Sequence, residues 1–270
     1  INYFTILFFI LCFSILFIYR IYSSGIKSML YFRDKLEREN NYKKAENIRV
    51  IQVFLGFGFF IFHSLIFFGL INTLLFFIVS FFTSLFLEII GANKGYVFGK
   101  YSYEPALCPG PMFGNVPLLI VMAWSGLIYM SLNCSFLLLD MKINSFISLE
   151  HLLMTSMFIT ILDLVLDPIA VNEGRWKWDN PGKYYGVPAQ NFVGWFLNTT
   201  IILIFFKILS INYSTSDSHP FYVTFAPGLL FICLPIIASR PCFERKLYIA
   251  GYIGIFFTFC LAIIIITKTL

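Results

Sequence analysis

The sequence predicts an all-α, polytopic membrane bundle of about eight transmembrane helices. Three observations predict it. Hydrophobic residues make up 59% of the 270-residue chain and charged residues only 12%, too apolar a balance for a soluble chain of this length. Several apolar runs approach or exceed the roughly 20 residues that span a bilayer as helix, and they are continuous rather than alternating, which favours helices over barrel strands. The Lys and Arg residues collect in alternate loops.

In order, the apolar spans fall at about 3–19, 50–69, 72–90, 116–139, 146–168, 189–209, 221–239 and 247–267. The first has no basic stretch before it and no small-residue cleavage site after it, so it is expected to be a retained helix and not a signal peptide. The second and third are nearly continuous, and Gly69 with Asn72-Thr73 is where the chain is expected to turn. The fifth is expected to end at Pro168. Between the first two spans, residues 20–49 carry eight basic side chains interleaved with Asp34, Glu37, Glu39 and Glu46. That pattern suggests a short, solvated or surface-lying helix and not a nucleic-acid patch. If 20–49 is cytoplasmic, loops 91–115, 169–188 and 240–246 share its side. These segments hold sixteen of the 19 Lys and Arg residues, leaving Lys142, Lys207 and Lys268 opposite. The bias supports a multi-pass protein of the cell membrane with its principal loops cytoplasmic and both termini on the other side. It also accounts for the net charge of +5 without an anionic partner. The six cysteines form no C-x-x-C pair and are expected to be free, buried thiols. No repeat or linker divides the chain, so residues 1–270 are expected to form one integral-membrane domain, with 20–49 as a cytoplasmic linker.

The polar residues inside the spans suggest function. Carboxylates within a membrane helix are costly and mark a site facing the protein interior. Ser156, Thr160, Asp163 and Asp167 fall at spacings of four, three and four, on one helical stripe. Ser80, Ser84 and Glu88 do the same on the third span, and Asn191, Trp195 and Asn198 on the sixth. Each has a structural alternative. Asp167 could be an interfacial carboxylate, and Glu88 could pair with Lys94 or Arg175. The amides could bind helix to helix, and Trp176, Trp178, Tyr184 and Tyr185 could form a headgroup belt. His63 is read as a hydrogen-bonded packing residue. His63, His151 and His219 are dispersed and make no metal motif. The glycine-containing loop 91–103 lacks the spacing of a phosphate loop. The Asp163/Asp167 spacing also suggests magnesium–diphosphate chemistry, but no second acidic motif of that kind accompanies it.

Taken together, Glu88-Ile-Ile-Gly91, Gly95-Tyr-Val-Phe-Gly99-Lys-Tyr101-Ser-Tyr103, Val116-Pro117, Ala123-Trp124, Asp163 with Asp167-Pro168, Gly174-Arg-Trp176-Lys-Trp178 and Tyr184-Tyr-Gly-Val-Pro188 with Asn191-Phe-Val-Gly194-Trp195 resemble the carotenoid biosynthesis protein family. The resemblance covers spans three to six, about half of the chain. It implies a carbon–oxygen lyase, a carotenoid 1,2-hydratase that adds water to the terminal C1–C2 double bond of an acyclic carotenoid lying in the bilayer. Such chemistry needs a proton on C2, a tertiary cation at C1, and neither a metal nor another cofactor. A carboxylic acid in a poorly solvated site can hold that proton, and carboxylates and aromatic faces favour the cation. On this basis Asp163, Glu88 and Asp167 are the expected catalytic residues, with Asp163, the deepest, as the acid. Asn191, Trp195, Trp176, Trp178, Tyr185, Tyr101 and Trp124 are expected to bind the substrate, with Trp176, Trp178 or Tyr185 near the mouth of the site. A magnesium-dependent membrane prenyltransferase or cyclase, and a non-enzymatic transporter or carotenoid binder, are the alternatives. Nothing in the sequence fixes the oligomeric state.

Overall fold

The computed structural model describes residues 1–24, 39–139, 147–212 and 219–269. Among these the chain forms eight helices: α1 Asn2–Ser24, α2 Glu39–Phe67, α3 Gly69–Lys94, α4 Leu118–Leu139, α5 Leu149–Asn172, α6 Ala189–Leu209, α7 Phe221–Glu244 and α8 Tyr248–Thr269. Seven contain stretches long and apolar enough to cross a membrane, and α1 adds the shorter apolar stretch Asn2–Ile18. The molecule is an all-α polytopic membrane bundle. The middle of the charged segment, 25–38, where the short surface helix is expected, lies outside the described residues; α2 already begins at Glu39.

The turn between the second and third spans falls at Phe68–Gly69, with Gly69 at φ 72°. Asn72 and Thr73 are not part of it. They lie inside α3, where the Asn72 amide donates to the Ile211 carbonyl and its side-chain oxygen accepts the Ile211 N–H, tying down the chain just after α6.

Outer faces are apolar and exposed, as contact with lipid tails requires. Ile71, Ile78, Phe82 and Phe86 line one side of α3, and Phe256, Phe259, Ile263 and Ile266 one side of α8. α4 is the most enclosed of the spans. Its Trp124, Ile128, Tyr129, Leu132 and Phe136 are buried beside small polar residues that satisfy themselves locally or across helices. Ser135 donates to the Leu132 carbonyl, Ser131 to the Thr155 carbonyl on α5, and Ser80 of α3 to Ser125. His63 is a packing residue of this kind: its ring nitrogens meet the Tyr129 hydroxyl at 2.6 Å and the Val223 carbonyl at 2.9 Å.

Pro168 does not end α5, which continues to Asn172. A proline inside a helix lacks the N–H that would bond the carbonyl four residues back. Here that carbonyl belongs to Leu164, and the Tyr184 hydroxyl donates to it at 2.9 Å. A side chain from the following loop thus replaces the missing bond, and the helix proceeds. Asp167 is consequently buried inside the helix and not at its end.

The loops after α3 and α5 lie at one end of the bundle because they form a sheet together. Strand β1, Tyr101–Tyr103, pairs antiparallel with a strand at Trp176–Trp178, Tyr101 opposite Trp178 and Tyr103 opposite Trp176. A second short ribbon, Met112–Phe113 with Val116–Pro117, leads into α4. Two glycines allow the loops to fold down onto the helices. Gly95 closes α3 in the left-handed region at φ 77°. Gly194 of α6 lets the 97–98 backbone press against it, since a Cβ there would lie 2.7 Å from the Val97 carbonyl oxygen.

Candidate active site

The β1 ribbon and helices α2–α6 line a cavity of about 230 Å³ at this end of the bundle. Its polar wall comes from side chains far apart in sequence. Glu88, in the last turns of α3, is buried and held by three donors. The hydroxyls of Tyr101 and Tyr103 both donate to its Oε2, the latter at 2.8 Å, and the Trp124 indole N–H donates to its Oε1 at 3.0 Å. Alternation along β1 puts the two tyrosines on one strand face, so a single strand delivers both hydroxyls. Burial, and next the charge of Glu88, hold both phenols well above their ordinary pKa, so they remain donors at physiological pH. Neither Lys94 nor Arg175 is the partner of Glu88.

Opposite it on α5, Asp163 and Asp167 share one donor. The side-chain nitrogen of Asn191 reaches Asp163 Oδ2 at 2.8 Å and Asp167 Oδ2 at 2.6 Å. The other oxygen of Asp163 is buried without a hydrogen-bond partner. Asn191 stands in the first turn of α6, whose N-terminus is set by Pro188. Higher on the same stripes, Ser156 meets Thr200 at 2.9 Å and Asn198 donates to Ser84 at 3.2 Å, so the polar faces of α3, α5 and α6 bind one another.

Aromatic rings complete the enclosure. Trp124 and Trp195 lie 4.1 Å apart between centroids. Trp178 is buried, with its N–H on the Phe98 carbonyl at 2.9 Å, and Tyr103 meets Trp176 edge-on. The Arg175 guanidinium lies over the Trp176 ring at 4.9 Å.

The cavity therefore unites Glu88, Asp167, Asn191, Trp195, Trp176, Trp178, Tyr101 and Trp124 of the sequence-predicted set. Two predicted residues stand elsewhere. Asp163 is fully buried one helical turn deeper than Asp167 and does not line the wall. Tyr185 points to the neighbouring helix, where its hydroxyl accepts the Ile249 N–H at 3.0 Å, so it is not at the mouth. Tyr103, Gln52 and Arg49 line the cavity without having been singled out as site residues. The Tyr101-x-Tyr103 alternation was the available signal for Tyr103. Gln52, an amide sharing one face of the second span with His63, carried a signal of the same kind, whereas Arg49 reaches the site only through the packing of α2.

Beside the cavity, Glu173 gathers three arginines: Arg49 at 2.8 Å, Arg175 at 2.9 Å and Arg245 at 2.6 Å. Burial alone would raise its pKa, but the three guanidiniums outweigh burial and hold the carboxyl far below the usual range. This cluster joins α2, about three turns in, to the C-terminal ends of α5 and α7.

The pattern of the family described as "Carotenoid biosynthesis protein" matches residues 48–261. A curated relative, bisanhydrobacterioruberin hydratase from Haloarcula japonica, is 34% identical over 121 residues, 44% of this chain. The chain spans only 40% of that relative's length in the match. No solved structure matches. The family pattern includes every residue that lines the cavity, from Arg49 to Trp195, and the chain belongs to the carotenoid biosynthesis protein family.

Proposed function

We propose that the protein is a carotenoid 1,2-hydratase, adding water across the terminal C1–C2 double bond of an acyclic carotenoid. The observation that carries the proposal is the convergence of Glu88, Asp167 and Asn191 on one aromatic-walled cavity. The family, and the hydratase named among its relatives, agree with it.

The steps follow from the residues. The alkene end enters the cavity beside the Trp124–Trp195 pair, which forms part of its wall. A protonated Asp167 gives its proton to C2, and the π electrons form that C–H bond, leaving a tertiary cation at C1. The indole faces and the carboxylate of Glu88 stabilise this cation. Glu88 is suited to that role because an ionised carboxylate accepts all three donors that point at it. Water adds to C1 and loses a proton to a carboxylate, giving a tertiary alcohol. The proton donor is moved here from Asp163 to Asp167, because Asp167 is on the wall and Asp163 is behind it. Asp163 and Asp167 meet on one amide, and one proton shared between them relieves their repulsion. Asp163 is thus a positioning residue that keeps a proton available. The active end of the bundle is the cytoplasmic one by the charge bias, and residues 1–270 act as a single domain.

Expression in hosts accumulating acyclic carotenoids, followed by mass spectrometry of the pigments, tests the proposal. A gain of one water per reacted end is expected. Unchanged pigment mass in every host would favour a binder or transporter. Loss of activity on chelation, with an isoprenoid joined to the acceptor, would favour magnesium-dependent prenyl transfer.

A further inference from the structure

A second cavity, of about 190 Å³, continues from the first toward the middle of the bundle. The two share Gln52, Val53, Ala123 and Leu127 as lining residues, so they meet along the seam of α2 and α4. Along α4 the combined walls run from Leu119 to Met130, which at 1.5 Å rise per residue is about 16 Å. The carboxylates lie at the loop end only. Beyond the junction the lining becomes apolar and comes from α1, α2, α4 and α7, with Cys12, Met122 and Met130 contributing polarizable sulfur.

The second cavity exists because two glycines face it. A Cβ on Gly56 would meet nothing within 4 Å, and one on Gly126 would first meet the Gly56 carbonyl oxygen at 3.9 Å. Glycine is a poor helix former, and neither position has positive φ, so neither backbone conformation demands it. The space therefore is not filled by neighbouring side chains, and an apolar channel remains beside the reactive end.

We infer that this channel holds the apolar polyene chain of the substrate whose end is protonated at Asp167, and that Gly56 and Gly126 determine which chains fit. The inference rests on the hydratase proposal for what happens at the polar end. A long, rigid, unbranched-in-section polyene matches the channel in shape and polarity. Its terminal double bond then stops at the carboxylates, and the remaining chain fixes its depth. Binding along the channel supplies orientation at the reacting carbons.

The test compares Gly56→Leu and Gly126→Leu with Gly56→Ala and Gly126→Ala, using two substrates. One is a full-length acyclic carotenoid. The other is a short acyclic isoprenoid bearing the same terminal trisubstituted double bond. The alanine variants add one methyl each to the channel wall and should fall between wild type and the leucine variants on the carotenoid. The leucine variants should lose about tenfold or more of their conversion of the carotenoid while converting the short isoprenoid normally. Equal effects on the two substrates, whether both kept or both lost, would overturn the inference. If wild type converts neither substrate, the hydratase proposal fails, and retention of the carotenoid by the purified protein decides the channel separately. Visible absorbance bound to wild type but absent from Gly126→Leu would support it, and equal retention would overturn it.

Discussion

One side-chain nitrogen of Asn191 serves two carboxyls, and that is the detail on which the residue-scale account turns. If Asp167 gives the proton, Asp167→Asn keeps the shape but removes the acid, and hydration should fall by about 10²-fold or more. Asp163→Asn leaves the donor on the wall and should fall less, with its pH–rate profile displaced because the shared proton is gone. Glu88→Gln removes the charge facing the cation and should lower the rate. These are measured as pigment conversion in membranes at matched protein levels. An inactive Asp163→Asn beside an active Asp167→Asn would return the acid to Asp163. The stripes that flagged Glu88, Asp163, Asp167 and Asn191 were legible because a membrane helix tolerates such residues only on an inward face. Which carboxyl meets the cavity was not legible. Four residues of spacing place Asp163 and Asp167 on the same stripe, and only the packing of α6 and the loops decides which one is covered.

At the scale of elements, α5 and its following loop depend on two compensations. Tyr184→Phe leaves the Leu164 carbonyl without its donor and should cost about 1 kcal/mol, read by thermal unfolding in detergent. Adding Pro168→Ala restores a backbone N–H for that carbonyl and should recover the loss. No effect of Tyr184→Phe in either background would contradict the assignment. Sequence alone places a helix end at Pro168, since local rules see the missing N–H and not the tyrosine sixteen positions on. The second compensation is Glu173. Glu173→Gln leaves three guanidiniums facing one another and should destabilise by about 3–5 kcal/mol. The folded-state pKa of Glu173 is depressed, so its contribution is full above the unfolded value of roughly 4.3 and is lost as pH falls from there toward the folded value. Wild-type melting should therefore show no Glu173-dependent change from pH 7 to 5. The difference between wild type and Glu173→Gln should shrink in stronger acid. A constant difference down to pH 3 would show that the carboxylate charge is not what matters.

Over the whole molecule, the helical class and the approximate positions of the spans were readable from uninterrupted apolar runs. Loop pairing was not, because Tyr101–Tyr103 and Trp176–Trp178 are three-residue strands with no periodic signal, and their meeting is what encloses the cavity. The charge bias predicts that cysteines placed at Lys100 and Lys177 label from the cytoplasmic face, while one at Lys207 labels from the other. Labelling of Lys100 and Lys207 positions from the same side would refute that orientation. The central claim is that water adds to the alkene end of a polyene through the carboxyl set at this cavity. The most direct measurement is conversion of an acyclic carotenoid by purified protein in heavy-oxygen water, with wild type and Asp167→Asn compared by mass spectrometry. Wild type should give a product carrying one heavy oxygen per reacted end, and Asp167→Asn little product. A product without heavy oxygen, or equal yield from the variant, would contradict it.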